Sequence, residues 1–156
     1  MDNIKERFRQ YQEAIEASNI VSKTDTNGTI TFVNDEFCKM SGFTREELIG
    51  ANHNIVRHPE VPKEVFARLW DTILAKKVHK GTIRNRTKDG RDVYLNTTII
   101  PILNLSGEIE EFLAIRYDVT DVINLNNELE KTKKELLNLN ENLENRVAEQ
   151  TAELVN

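Results

Sequence analysis

Ile4, Phe8, Tyr11 and Ile15 fall four, three and four residues apart with charged residues between them, a spacing that predicts an amphipathic helix over 2–17. Such a stripe calls for a partner surface. β-Branched residues then stand on both sides of Thr26-Asn27-Gly28, over 20–25 and 29–33. Asn and Gly tolerate the positive φ angles of tight turns, so the two runs predict a hairpin. Asn34 or Asp35 can cap a short helix carrying Phe37, Met40 and Phe43 and stopped at Gly42. Thr44, three residues ahead of Glu47, has the capping-box spacing for a second short helix that closes at Leu48-Ile49-Gly50.

Beyond 53–62, Pro62 suits a first helical turn, and Val65, Phe66, Leu69, Trp70, Ile73 and Leu74 form one broad apolar face. Three strand-like runs follow at 78–87, 92–103 and 108–119, joined by Lys88-Asp89-Gly90 and Leu105-Ser106-Gly107. A long helical segment opens after Asp118-Val119, with Thr120 or Asp121 as its cap. In it, Leu125, Leu129, Leu136, Leu139 and Leu143 step by four and three residues once Thr132 takes the missing place, which is a heptad seam. The next apolar residues are Val147 and Leu154, so the phase slips by a four-residue step, a stutter that unwinds a supercoil locally. The seam predicts a parallel homodimer through this tail, with the N-terminal helix as a further dimer contact.

Composition draws the same boundary. From 121 to 156 there is no Gly, Pro, Phe, Tyr or Trp, which divides the chain into an N-terminal helix (1–17), a globular domain (18–120) and a signalling coil (121–156). The tail holds eight acids and four bases, hence −4 of the net −5, and leaves the rest near neutral at 17 bases against 18 acids. Neither part has the basic field that nucleic acid or anionic lipid requires. A single Cys, Cys38, excludes an internal disulfide and a Cys-based metal site. No signal peptide is evident, and no apolar run approaches the ~20 residues of a membrane span. The chain reads as cytoplasmic, without nucleic acid or membrane contact in this segment. It stops in mid-heptad at Leu154-Val155-Asn156, which reads as a fragment of a longer protein.

Four pieces taken together resemble the PAS family over about 18–120: Asn27-Gly28 followed by Phe32-Val33-Asn34-Asp35-Glu36-Phe37, the run 41–50, Arg86-Thr87-Lys88-Asp89-Gly90, and Asp118-Val119-Thr120. The resemblance implies an α+β fold whose five-stranded antiparallel sheet runs in the order 2-1-5-4-3, with helices on one face. Within the family, 54–62 with Phe66 and Trp70 is similar to the bacterial aerotaxis-receptor type, which holds FAD and reports redox state. By position, that likeness implies Arg57, His58 and Glu60 as the cofactor-holding cluster, with Trp70 and Asn34 near the pocket. Glu60 stands where that type commonly has Asp, which keeps the charge, and His79 where it can have Trp, which removes a large ring. Asp118 and Thr120 resemble the Asp-x-Thr junction that relays a change in the sheet to an exit helix.

Each residue also has a plainer role. Arg57 can grip a flavin pyrophosphate with its forked donors or pair with Glu60. His58 can bond an isoalloxazine or ribityl group or cap the next helix, while His53 and His79 read as polar filler. Trp70 is core first, and Asn34 is a helix cap first. Asn85, if it points inward, offers a donor and an acceptor to a flavin edge. Haem would need an axial ligand, usually a His on the long helix, and 61–76 contain none. A flavin–thiol photosensor would need a Cys beside the ring, where Cys38 does not fall. Neither a phosphate-binding Gly loop, a nucleophile elbow nor metal-ligand spacing points to an enzyme. FAD is therefore the expected ligand, an unliganded or small-molecule-binding dimerisation module the alternative. A histidine kinase is the first expectation for the output, ahead of a cyclase or chemoreceptor.

Overall fold

The computed structural model describes residues 2–155; Met1 and Asn156, the outer ends of the two expected terminal helices, lie outside the described residues. The chain divides into two compact units, one up to Thr120 and one from Asp121 on.

Helix α1 (Asp2–Ser18) buries none of its residues, and Ile4, Phe8, Tyr11 and Ile15 all stay exposed. Strands β1 (Ile20–Thr24) and β2 (Ile30–Val33) form the expected hairpin, though its loop is wider than two residues, since Thr24 pairs with Ile30. The Asp25 carboxylate closes that loop by accepting from the N–H groups of Asn27 at 2.9 Å and Thr29 at 3.0 Å. Asn34 caps α2 (Asp35–Ser41), and Gly42 ends it at a φ of +78°, which a side chain would oppose. Thr44 caps α3 (Arg45–Leu48), its hydroxyl accepting from Glu47 N–H at 3.2 Å. A single 3-10 turn, His53–Val56, leads toward α4 (Lys63–Leu74), where Pro62 stands at the cap rather than within the first turn. Leu69 and Ile73 of α4 are buried while Val65 and Leu74 face water, so its apolar face is narrower than six residues.

Strands β3 (His79–Arg86), β4 (Asp92–Leu103) and β5 (Ile109–Asp118) complete one antiparallel sheet in the order β2-β1-β5-β4-β3, the order that the resemblance implies. Strand alternation puts Val93, Leu95 and Thr97 of β4 on the buried face with Phe112, Ala114 and Arg116 of β5. Helix α2 packs on β1, α3 on β2, and α4 on β3 and β4. The core falls into two clusters. One joins Ile30, Val33, Phe37, Leu48, Val56 and Leu95; the other joins Leu69, Ile73 and Phe112. Each such side chain, fully buried, contributes about 1.5–3 kcal/mol.

Helix α5 (Thr120–Val155) begins under the control of Asp118 rather than of a Thr120 or Asp121 cap: the Asp118 carboxylate accepts from Thr120 N–H at 2.8 Å. The Thr120 hydroxyl in turn accepts from Tyr94 N–H of β4 at 2.9 Å, which ties the helix start to the sheet. Along α5 the seam residues Leu125, Leu129, Leu136, Leu139, Leu143, Val147 and Leu154 are all exposed. Among the described residues no helix is long and apolar enough to cross a membrane.

Candidate functional site

Phe66, Leu69, Trp70 and Ile73 recur at helical spacing along α4 and face Ile83 and Asn85 of β3, Ile99 of β4, and Phe112 and Ala114 of β5 across a partly open cavity of about 90 Å³. Trp70 and Phe112 meet edge to face with ring centroids 5.7 Å apart. Gly28 closes one end. A Cβ there would come within 3.0 Å of the Trp70 ring, and its φ of +85° excludes most residues independently. The remaining wall is polar and comes from Thr24 and from Asn52, His53, Asn54 and Arg57 of the segment before α4.

Three of the residues singled out in the sequence reach this cavity: Arg57, Trp70 and Asn85. The Arg57 guanidinium lies 3.7 Å from the Phe66 ring centroid, its Nε is buried without a partner among the described residues, and burial lowers its pKa. Asn85 is buried, and its side chain enters no hydrogen bond among the described residues. A donor and an acceptor on Asn85 and a buried donor on Arg57 are thus unspent at the polar edge of an aromatic-walled slot.

The other four lie elsewhere, each for a physical reason. His58 is buried behind the wall; its Nδ1 accepts from Glu60 N–H at 3.1 Å and its Nε2 donates to Asp92 at 2.9 Å, so both ring nitrogens are engaged. Glu60 is exposed and accepts from Arg84 at 2.9 Å, which also corrects the expected pairing with Arg57. Asn34 ties α1, β1 and α2 together and does not line the cavity. His79 starts β3 on the same sheet face as Asn85 but beyond the cavity's end; it is half-buried, which lowers its pKa. Cys38 sits on α2 against the first core cluster, away from the cavity.

The fold brings His53, expected as polar filler, together with Arg116, which no motif had marked. His53 lines the cavity, and its Nε2 accepts from Arg116 at 2.8 Å. Arg116 is 3% exposed, donates to the Ser22 hydroxyl at 2.9 Å and lies over the Phe37 ring; no carboxylate stands within ion-pairing distance of it among the described residues. Burial lowers its pKa to about 10, so it remains a cation at neutral pH. The alternation Phe112, Ala114, Arg116 was a readable sign that Arg116 points inward. The separation of 63 positions from His53 hid the partner.

His53 is half-buried by surface, yet desolvation first and the Arg116 charge second push its pKa down to about 3. It is therefore neutral in the folded protein, whereas the unfolded chain protonates it near its ordinary value of 6.5. Its contribution to stability is present above about pH 6.5 and is lost as pH falls toward about 3. Urea titrations at pH 7 and pH 4 should show wild type losing at least ~1 kcal/mol more than His53→Gln. Equal losses would remove His53 from the acid response.

Comparison with known proteins adds four findings. A sequence model of the PAS fold matches residues 6–119. The aerotaxis receptor of Escherichia coli is 37% identical over 102 residues, covering 65% of this chain and 20% of the receptor. The nitrogen fixation regulatory protein of Klebsiella pneumoniae is 30% identical over 105 residues, 67% of this chain and 21% of that protein. A light-oxygen-voltage domain whose mechanism was studied with a flavin analogue superposes with a TM-score of 0.65 at 17% identity, covering 78% of this chain and 93% of that one. This chain spans about a fifth of the length of the two curated relatives.

Proposed function

This chain belongs to the PAS family, and we propose that it is the sensory input module of a bacterial signalling protein, holding FAD in the α4 cavity and reporting redox state. One observation carries the ligand reading: a slot walled by Phe66, Trp70 and Phe112 ends in the unspent polar groups of Asn85 and Arg57. That is the chemistry of a site for a planar heteroaromatic ring with a polar edge and an anionic extension. In it, Asn85 would orient the ring edge, Arg57 would pair with the pyrophosphate, and the three aromatic side chains would exclude water. Flavin, when bound, supplies a reversible two-electron couple. The likeness to the aerotaxis-receptor type supports FAD over other flavins.

Asp118 and Thr120 connect β4 to the first turn of α5, so a change in sheet geometry would reach the exit helix through two hydrogen bonds. A second copy of the chain is the partner we assign to the exposed stripe of α1 and the exposed seam of α5. In the α5 heptads Glu128 and Lys133 flank the seam at positions that face one another across a parallel, in-register pair, which favours that orientation. The module is read as non-catalytic, with its output, a histidine kinase as first expectation, on a linked domain.

A second reading has one observation in its favour. The cavity's 90 Å³ is smaller than the roughly 150 Å³ that receives benzene in an engineered apolar cavity, as an unliganded dimerisation module would have. The absorption spectrum of gently purified protein separates the two. A two-banded flavin spectrum that bleaches on reduction, with FAD in the supernatant after denaturation, is expected. A featureless spectrum that persists after incubation with FAD would sink the flavin reading, and a Soret band would replace it with haem.

A further inference from the structure

Residues 52–60 run from the β1–β2 loop to the edge strand β3 as a strap along the polar side of the cavity. The near end is fixed by backbone hydrogen bonds, from Ile30 N–H to Ala51 C=O at 2.9 Å and from His53 N–H to Gly28 C=O at 3.0 Å. The far end meets β3 in one bridge, Arg57 with Asn85. Beyond that bridge, among the described residues, no backbone hydrogen bond ties 58–62 to another strand or to another helix than α4.

Side chains take over there. His58 Nδ1 accepts from Glu60 N–H at 3.1 Å, and His58 Nε2 donates to Asp92 Oδ1 at 2.9 Å. Arg84 Nη2 donates to Asp92 Oδ2 at 2.5 Å, and Arg84 Nη1 donates to Glu60 Oε2 at 2.9 Å. The four bonds close a ring that leaves the strap at His58, crosses β4 and β3, and returns to the strap at Glu60. None of the four side chains lines the cavity. We propose that Arg84 and Asp92, acting through Glu60 and His58, are positioning residues that clasp the strap shut and set how fast a ring-sized ligand passes in and out.

Two observations favour the strap as the part that yields. A cavity of about 90 Å³, smaller than the roughly 150 Å³ that receives benzene, takes a fused ring system in fully only if one wall moves. The opposing wall, α4, is seated by buried Leu69 and Ile73; the strap is seated at Val56 and at buried His58, but the other three clasp groups are partly exposed, with side-chain exposures of 30% for Arg84, 39% for Asp92 and 71% for Glu60. Pairs so open to water are weak one by one, and a segment held by them opens locally before the core does.

The clasp rests on the ligand reading for its purpose, and one of its two readouts, amide exchange, is independent of that reading. Asp92→Asn and Arg84→Gln, alone and together, are compared with the wild-type chain by amide hydrogen exchange and by fluorescence recovery as bound FAD dissociates on dilution. Each single variant should speed exchange at Glu60 and Val61 and release of FAD about tenfold, with sheet amides unchanged; the double variant should add little, because one ring is broken either way. Arg84→Lys, which keeps the charge but cannot span two carboxylates, should behave as Arg84→Gln does. Unchanged exchange at Glu60 and Val61, acceleration spread evenly over the sheet, or faster exchange with unchanged release would overturn the clasp. If the wild type takes up no FAD, the flavin reading fails by itself and the exchange result alone decides the clasp.

Discussion

Asn34→Ala is expected to cost about 3 kcal/mol of folding stability, the largest effect of any single substitution proposed for this chain. Asn34 is 6% exposed and spends its whole amide on the backbone. Its Nδ2 donates to the carbonyls of Glu16 at 2.8 Å and Asn19 at 2.7 Å, and its Oδ1 accepts from the N–H groups of Val21 at 3.0 Å and Phe37 at 3.1 Å. Truncation leaves four backbone groups without that partner. At about 1–3 kcal/mol per orphaned buried group the sum would exceed the estimate, but the Glu16 and Asn19 carbonyls are only part-buried, so water can take them up, and Phe37 N–H keeps the Asn34 carbonyl at 3.2 Å. Asn34→Asp isolates the two halves. It keeps the acceptor that caps α2 and sets an anion against two carbonyls, so it should loosen α1 while α2 survives. A shift in urea stability below about 1 kcal/mol for Asn34→Ala would show that water replaces the hub. If Asn34 touched a ligand, FAD affinity would fall in protein that is still folded; the hub geometry predicts unchanged affinity.

The strands and their order were legible because each turn announces itself: Asn27-Gly28, Lys88-Asp89-Gly90 and Leu105-Ser106-Gly107 all fall between alternating runs, and the observed strands end within a residue or two of those turns. Trp70 could be placed on a wall because helical spacing specifies a face from local sequence alone, whereas the direction of Asn85 stayed open until the sheet showed it inward. Val65 and Leu74 show the limit of that logic. An apolar residue at the margin of a helical face is buried only if the neighbouring element extends to meet it, and here none does. His58 and Glu60 fail differently. Their partners, Asp92 and Arg84, lie 34 and 24 residues away on the sheet, and nothing in 53–62 says that a strand will arrive there with a matching charge. Motif likeness marked a segment that reaches the cavity but could not separate the side chain that lines it, Arg57, from those that hold the segment in place.

Arg116→Met should lower the reduction potential of bound FAD by ~40 mV, about 2 kcal/mol for a two-electron couple, while changing folding stability by less than ~1 kcal/mol. Among the described residues its guanidinium is a buried charge without a carboxylate, partnered by Ser22, His53 and the Phe37 ring. Burying a cation costs several kcal/mol after relaxation, so Arg116 is not held there by a large stability gain. Methionine removes that cost but strands the Ser22 hydroxyl and His53 Nε2, at about 1–3 kcal/mol each, and the two effects roughly cancel. What does not cancel is the field. Arg116 stands one imidazole ring behind the cavity wall, and a unit charge acting over several ångströms at an effective dielectric of ~20 contributes about 2 kcal/mol. That field favours whichever ligand state holds more electrons, so its loss makes reduction harder. Arg116→Lys, which keeps a charge but can bridge Ser22 and His53 less well, should fall between the two. Spectroelectrochemical titration of the three proteins decides the matter: a potential that does not move in Arg116→Met would reduce Arg116 to a structural cation, and a rise would reverse the sign of the argument.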